Sequence, residues 1–478
     1  MSPQLINANN LTAKARIRDG FEMIAGIFGM IVTIVDDREL LLGIVTDGDL
    51  KKALLAGKSI DTELSEVMNS RPVVVTLEGL NDQGIVERLS NKLRNNGVDP
   101  EDYGDRFCVP VVNQDRKVMG LTTLGILRSF VPGQNNELFL PNQKIHSGSP
   151  TVLVVGGGGY IGSILIEKLL ARDWSVKVLD RFIYTRSVIK KFSEEKRLTI
   201  IEGDVCDLNI QVEAISEVDC VVFLAEIVGD PSCELVPEVA LKTNYLAVSS
   251  MATLCAHLHI NRFVYTSSCS VYGATSDPNS LLDEGSVVNP VSHYARMKVA
   301  SEKALFSQMS QLFSPTVLRL ATVFGWSHRP RFDLVVNTFA RDAYKKKYLT
   351  VYGGEQWRPN IHVADVAEAI IRVIEAPIDK VSRQVFNVGS NAANYTIEQL
   401  ARLAAKANPE CRVNIEKSAV DLRNYRVDFT KLKAELGYEP TTSVLQGLEE
   451  LRNAFDTNVI GDLDSIEYSN IEFLKAYG

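Results

Sequence analysis

A glycine turn set between an apolar strand and an apolar helix limits this chain more than any other feature. In the run TVLVVGGGGYIGSILIEKLL, Val152–Val155 reads as a strand and Ile161–Leu170 as a helix, with Gly156, Gly159 and Gly162 at the turn. The next apolar run, SVKVLD, closes on Asp180, 24 residues after Gly156 (180 − 156). A bound dinucleotide needs this layout. Glycines let the backbone approach a pyrophosphate, and the first helical turn offers its N–H groups. A carboxylate at the end of the second strand takes the hydroxyls of the adenosine ribose. The turn residues expected at such a cofactor are Gly156, Gly159, Tyr160, Ile161 and Gly162, with Asp180 at the ribose. The spacing is G-x-x-G-x-x-G rather than the commoner G-x-G-x-x-G.

With 478 residues the chain exceeds the usual size of one domain. Its 45% hydrophobic and 23% charged content is that of an ordinary globular protein. A net charge of −8 argues against general nucleic-acid binding. No apolar run approaches the length of a membrane span, and MSPQLINANN lacks the basic-then-apolar order of a secretion signal. Seven cysteines at 108, 206, 220, 233, 255, 269 and 411 form no C-x-x-C pair. They are expected to be mostly buried free thiols in a reducing cytoplasm.

A linker is expected around Val131–Pro150, where Pro, Gly, Asn and Ser interrupt periodicity. Three segments follow: a regulatory region at 1–132, a linker at 133–150 and a catalytic region at 151–478. The first contains an internal repeat. ELLLGIVTDGDLKKAL (Glu39–Leu54) returns as RKVMGLTTLGILRSF (Arg116–Phe130), with Gly43 and Gly120 in corresponding places. An apolar strand precedes each copy, MIVTIV at Met30 and CVPVV at Cys108. This arrangement resembles a tandem cystathionine-β-synthase (CBS) pair, or Bateman module. The resemblance implies a small α/β domain that binds an adenine nucleotide through a glycine, a hydroxyl residue and an acid. Gly43, Thr46 and Asp49 match in the first copy. Gly120 and Thr123 match in the second, where Ile126 replaces the acid.

From Thr151 onward strands alternate with helices, at 152–155, 176–180, 198–202, 219–225, 262–267, 316–320 and 384–388. That pattern predicts a doubly wound parallel sheet covered on both faces, with its core at about 151–325. A smaller substrate-binding region is expected mostly over 326–478. Tyr294 and Lys298, in YARMK, share a helix face at i and i+4, and SSCSVYG places Ser268 at a strand end 26 residues upstream (294 − 268). A phenol ionises near pH 10, and a neighbouring ammonium favours its phenolate. Tyr294 could then take a proton from a substrate hydroxyl while Ser268 hydrogen-bonds the oxygen.

These residues resemble those of an extended short-chain dehydrogenase/reductase of the sugar-nucleotide epimerase/dehydratase branch, over about Thr151–Tyr438. The resemblance implies a Rossmann-type fold, NAD as cofactor, a UDP- or GDP-linked sugar as substrate, and a homodimer or homotetramer in glycoconjugate or polysaccharide biosynthesis. Within GDVCD it puts Asp204 and Val205 at the adenine, and within FLAE it puts Leu224 and Ala225 beside the cofactor. TNYLAV gives Asn244 a structural position. LRLATVFG leads Arg319–Gly325, including Thr322, toward the substrate. WRPNIHVADVAEAI offers Arg358 to its diphosphate, and Arg423, Arg329 and Arg331 are further candidates. Catalysis falls to Ser268, Tyr294 and Lys298, with Lys298 also holding the nicotinamide ribose.

Two departures narrow the expected reaction. Ser268-Cys269-Ser270 stands where 4,6-dehydratases carry Thr-Asp-Glu, and Cys269 stands where decarboxylases of the branch carry a glutamate. Reversible oxidation at the 4-hydroxyl remains, foremost a 4-epimerase and alternatively a 4-dehydrogenase or ketoreductase. A non-catalytic nucleotide-sensing protein is the rival from another class. Asp180 favours NAD over its 2′-phosphorylated form, although Arg181 follows it. No metal is implied. His257 and His259 lack an acid or cysteine at ligand spacing, and His362 reads as structural.

Overall fold

Runs of β-branched residues set the strands of this chain. The computed structural model describes residues 8–25, 31–81, 84–95, 108–123, 149–192, 194–258, 260–273, 280–309, 313–416 and 424–477. Two compact units emerge, one from the residues up to Thr123 and one from Ser149–Leu305 with Phe313–Tyr477. The expected linker at 133–150 lies outside the described residues except for its last two.

The first unit repeats one motif. Strands β1 (Asn10–Thr12), β2 (Ile31–Val35) and β3 (Leu41–Thr46) form one sheet, with helices α1 (Ile17–Ala25) and α2 (Asp47–Leu55). Strand β4 (Val75–Thr76), helix α3 (Ile85–Asn95), and strands β5 (Cys108–Val112) and β6 (Val118–Thr123) repeat the order. In each sheet the first pair is parallel and the second antiparallel. The antiparallel register breaks at Ile34/Val35 in one and at Val111/Val112 in the other. Gly43 faces Ile34 and Gly120 faces Val111. Both hairpin turns pass through a left-handed residue, Glu39 (φ 64°) and Arg116 (φ 66°). The internal similarity is thus a repeat of backbone geometry as well as of residues.

The second unit is built on seven parallel strands: β7 (Thr151–Val155), β8 (Ser175–Asp180), β9 (Leu198–Glu202), β10 (Cys220–Phe223), β11 (Arg262–Ser268), β12 (Ser314–Leu320) and β13 (Val385–Val388). Their order is β13-β12-β11-β10-β7-β8-β9. β10 is buried along its whole length and β7 along Val152–Val155, as expected of a sheet covered on both faces. Strand order reverses between β7 and β10, so a crevice opens beyond their carboxyl ends. Helix α4 (Tyr160–Leu170) leaves β7 directly, and helix α5 (His293–Ser307) follows β11. Helices α6 (Val335–Lys346), α8 (Ile397–Ala407) and α9 (Val444–Asp456) share a second core around Phe324, Phe332, Leu400 and Leu448. Between them, α7 (Val363–Glu375) packs on α4, and β13 returns to the main sheet. The chain therefore re-enters the nucleotide-binding layer well after residue 325.

Close backbone approach at the turn requires glycine. Gly156 has φ +87°, and a Cβ there would meet Ala225 N at 2.6 Å. A Cβ on Gly162 would meet Gly156 O at 2.5 Å and Gly157 Cα at 2.6 Å, all rigid main chain. Gly162→Ala is therefore expected to cost about 1–3 kcal/mol, read as a lower denaturant midpoint at unchanged slope. Gly159→Ala would meet only Gly156 O, at 3.2 Å, and should cost less than Gly162→Ala.

Candidate active site

A cleft of about 530 Å³ opens at the reversal of strand order, within the usual range for small-molecule sites. The turn residues Gly156, Gly159, Tyr160, Ile161 and Gly162 line one end. Gly159 is the N-cap of α4 and makes no side-chain cap, so the positive end of the helix is presented to the cleft. The Tyr160 ring is turned away and anchored: its hydroxyl donates to Gly325 O at 2.7 Å and accepts from Asn337 at 3.1 Å. Asp180 also lines the cleft. One carboxylate oxygen accepts Gly158 N–H at 2.8 Å and the other Phe182 N–H at 2.6 Å. Burial pushes this carboxyl above its ordinary value, against the pull of those two donors. Each oxygen keeps a lone pair for a further donor. Arg181 pairs with Asp204 at 3.2 Å, and Val205, Leu224 and Ala225 continue the wall. Uncapped N–H groups, glycine main chain along the cleft and a carboxylate with spare lone pairs fit a dinucleotide's pyrophosphate and ribose.

Ser268, Tyr294 and Lys298 meet at the middle of the same cleft. Ser268 ends β11, and its hydroxyl accepts Ser270 N–H at 3.1 Å, capping the short turn Cys269–Tyr272. Ser270 also lines the cleft, and its buried hydroxyl has no hydrogen-bond partner. Tyr294 opens α5 with 9% exposure, and Lys298 lies one turn on at 2%. The Lys298 ammonium stands 5.5 Å from the centre of the Tyr294 ring and 4.8 Å from that of Tyr265.

The charge balance here differs from the expectation. Lys298 is paired with the buried carboxylate of Glu226 and donates to the Thr266 carbonyl. Glu226 also accepts the Tyr265 hydroxyl at 2.9 Å. Burial, and after it Glu226, push the Tyr294 phenol well above its ordinary value. Burial draws Lys298 below its own, with Glu226 opposing. The ammonium expected to favour a phenolate is thus neutralised by an acid that the sequence reading left unused.

A polar network buttresses this site from behind. Glu302 on α5 accepts Arg319 at 3.1 and 2.7 Å and the Ser267 hydroxyl at 2.5 Å. Arg319 also donates to the Tyr272 hydroxyl at 3.1 Å, which bonds Asn387 of β13 at 2.8 Å. These bonds join β11, β12, β13 and α5 immediately beneath Ser268 and Tyr294.

Thr322, Arg329, Arg331 and Arg358 also line the cleft, Arg329 within electrostatic reach of Asp180. All three arginines already have partners. Arg358 donates to Trp357 O at 2.8 Å. Arg331 forms a two-pronged bond with Asp333, both arms 2.9 Å. Arg329 donates to Glu467 O at 3.0 Å and Asn470 Oδ1 at 2.6 Å, and lies 3.9 Å over the Tyr184 ring. Burial and the neighbouring Arg331 pull Arg329 down to about 10. Helix α10 (Asn470–Tyr477) supplies this wall, with Phe473 edge-on to Tyr184 at 5.0 Å and Leu474 packed in a cluster with Tyr294. Nothing in the sequence reading pointed to α10. Arg423 lies outside the described residues. His362 bonds Glu450 at 2.8 Å and caps α7 through Ala364 N–H, away from the cleft. Five cysteines are buried and all seven are free. Among the described residues no group of three His, Cys, Asp or Glu side chains could hold a metal, and no helix is long and apolar enough to cross a membrane.

Thr46 and Asp49 sit in the first unit, where they bond each other. The Thr46 hydroxyl accepts Asp49 N–H at 3.1 Å and the Asp49 carboxylate accepts Thr46 N–H at 2.9 Å, a capping box for α2, and the hydroxyl also donates to that carboxylate at 2.7 Å. Thr123 ends β6, and Ile126 lies outside the described residues.

The model of the NAD dependent epimerase/dehydratase family matches residues 152–389. UDP-glucuronic acid decarboxylase 2 of Arabidopsis thaliana is 31% identical over 324 residues, spanning 65% of this chain and 69% of that one. Among solved structures, MoeE5 in complex with UDP-glucuronic acid and NAD is 25% identical with a TM-score of 0.57, covering 65% of this chain and 100% of MoeE5. The UDP-glucuronic acid 4-epimerase of Bacillus cereus, in complex with UDP-glucuronic acid and NAD, shares the fold at 24% identity and a TM-score of 0.58 (64% and 99% covered). The chain belongs to the NAD-dependent epimerase/dehydratase family of extended short-chain dehydrogenases/reductases. A UDP-glucuronic acid decarboxylase is among its relatives and a 4-epimerase among the structures that share its fold, so membership gives NAD as the cofactor and leaves the reaction open.

The network behind the site gives a direct stability test. Arg319→Leu would strand the buried Glu302 carboxylate, and unfolding by urea should show a loss of about 3–5 kcal/mol.

Proposed function

We propose that the second unit is an NAD-dependent enzyme oxidising and re-reducing the 4-hydroxyl of a UDP-linked sugar, as a 4-epimerase. The observation that carries this reading is the meeting of Ser268, Tyr294 and Lys298 in one cleft with the glycine turn and Asp180. Asp180 would hold the adenosine ribose of NAD, the first turn of α4 its pyrophosphate, and Lys298 its nicotinamide ribose. Bound NAD supplies the redox partner for C4 of the sugar. As its phenolate, Tyr294 takes the proton of the 4-hydroxyl at its phenolic oxygen and returns it in the reverse step; the positive charge of an oxidised nicotinamide would oppose the burial and the Glu226 carboxylate that hold the phenol up. Ser268 donates to the oxygen as it becomes a ketone. Arg329, Arg331 and Arg358 add positive charge to the cleft lining, suited to the diphosphate or to a sugar carboxylate. UDP-glucose and UDP-glucuronic acid are the first substrates to try, since both occupy MoeE5.

Cys269 favours epimerisation over the decarboxylation and dehydration known among the relatives. It is buried, donates to Arg319 O at 3.3 Å, and burial raises its thiol far above the range useful for acid–base work. Incubation with UDP-glucuronic acid or UDP-glucose should interconvert the C4 epimers without carbon dioxide release or net NADH. Stoichiometric NADH would instead favour the dehydrogenase alternative. Tyr294→Phe should lower kcat roughly 10²–10⁴-fold; undiminished turnover would remove the enzymatic reading in favour of a nucleotide sensor.

For the first unit we propose a CBS-like adenine nucleotide site at Thr46 and Asp49, supported by the repeated backbone motif. Thr123 and Gly120 form the corresponding turn of the second copy. Calorimetry with AMP, ADP and ATP should detect one binding event, weakened by Asp49→Ala. Absence of heat with all three nucleotides would discard the site.

A further inference from the structure

Arg329 is a buried cation that the protein itself leaves short of an anion. It lines the cleft and is 2% exposed. Both bonds of its side chain leave one terminal nitrogen and end on uncharged groups, Glu467 O at 3.0 Å and Asn470 Oδ1 at 2.6 Å. Its Nε is buried without a partner. The acids acting on it, Asp333 and Asp180, are engaged elsewhere. Asp333 takes both arms of Arg331, and Asp180 takes Gly158 N–H and Phe182 N–H. Tyr184, whose ring lies 3.9 Å from the guanidinium, adds a buried hydroxyl with no partner. Burial and Arg331 lower Arg329 to about 10, which still leaves it charged at pH 7. A buried charge without a counter-ion is costly to the folded state. This corner of the cleft is therefore suited to an anion that arrives from solution.

The loop that carries Arg329 indicates which anion. It is bonded to the first turn of α4 at two residues. Gly325 O accepts the Tyr160 hydroxyl at 2.7 Å, and the Ser327 hydroxyl donates to Tyr160 O at 2.6 Å and lies 3.0 Å from that of Ser163. Arg329 N–H reaches the same Ser327 oxygen at 3.4 Å. The guanidinium rests on Tyr184, in the segment that leaves Asp180, and acts on Asp180 itself. Its backbone and its side chain thus both belong to the part of the cleft formed by the glycine turn and Asp180.

We propose that Arg329 is a cofactor-binding residue, which supplies the counter-charge for the pyrophosphate of NAD. This deepens the NAD reading of the cleft and rests on it. The first turn of α4 offers its N–H groups to the pyrophosphate from one side, and Arg329 offers from the other the donors not spent on the C-terminal segment. Arg331 and Arg358 are left to the sugar nucleotide. The bonds to Glu467 and Asn470 give the same guanidinium a second task, since they hold the start of α10, whose Leu474 packs with Tyr294. One side chain then joins the cofactor's phosphates to the cover of the reacting group.

Calorimetry with NAD and with ADP-ribose on the full-length protein tests this without turnover. Arg329→Gln should weaken both roughly 10–100-fold, while UDP binds the variant as it binds the parent. Arg329→Lys, which keeps the charge, should recover most of the NAD affinity. Asn470→Ala, which loosens α10 but spares the guanidinium, should stay near the parent. Unchanged NAD affinity in Arg329→Gln would overturn the proposal. A loss confined to UDP would hand Arg329 to the substrate, and equal losses of NAD affinity in Arg329→Gln and Asn470→Ala would make it only a strut for α10; either result also overturns it. Arg329→Met carries the same prediction should Arg329→Gln not fold. A parent that binds neither NAD nor ADP-ribose would remove the cofactor reading as a whole, whereas a parent that binds both beside an unaffected Arg329→Gln removes the assignment of Arg329 alone.

Discussion

Main-chain contact between the turn after β7 and the strand end after β10 is the constraint on which the second unit rests. Gly156 lies so close to the Ala225 backbone, and Gly162 to Gly156 and Gly157, that no side chain fits between them. This contact fixes the start of α4 against the sheet. It sets the width of the crevice between β7 and β10, and it brings Leu224, Ala225 and Glu226 alongside the cleft. Everything the cleft holds is positioned from these two strand ends. The buried bonds among Glu302, Arg319, Tyr272 and Asn387 then carry the same frame outward to β12, β13 and α5.

Within that frame the chemistry depends on electrostatics at short range. A phenol enclosed by apolar neighbours resists ionisation, and a lone ammonium beside it would oppose that resistance. Here the ammonium is shared with an acid, so the pair is nearly neutral toward its surroundings. The cleft thereby joins two opposed charge regimes. Lys298 and Glu226 balance each other beside Tyr294, while Arg329 stands beside Arg331, with Asp333 and Asp180 as the acids acting on it.

Much of this was legible in the sequence because it is local. The seven strands of the sheet, the glycine turn and the closing Asp180 each announce themselves over a few residues of fixed period. The i, i+4 spacing of Tyr294 and Lys298 gave their shared helix face correctly. What the spacing could not convey was the occupant of the space beside Lys298. Glu226 reaches it from another strand, and FLAE offered only the acid itself as a clue. The partners of Arg329 come from still farther along, at Glu467 and Asn470, where an unremarkable amphipathic segment gave no signal. Thr46 and Asp49 show the opposite difficulty. One spacing serves both a helix cap and a nucleotide contact, and the capping bonds are complete without any ligand.

The wall contributed by α10 has a bearing on how the cleft comes into being. The glycine turn and the strands around it lie early in the second unit, whereas Asn470, Phe473 and Leu474 are synthesised after nearly all of it. A nascent chain could therefore assemble its nucleotide-binding layer while Tyr294 still lacked its cover. The cover of Tyr294 is thus a late-synthesised part of the pocket, a short helix packed over an aromatic ring that an earlier helix carries.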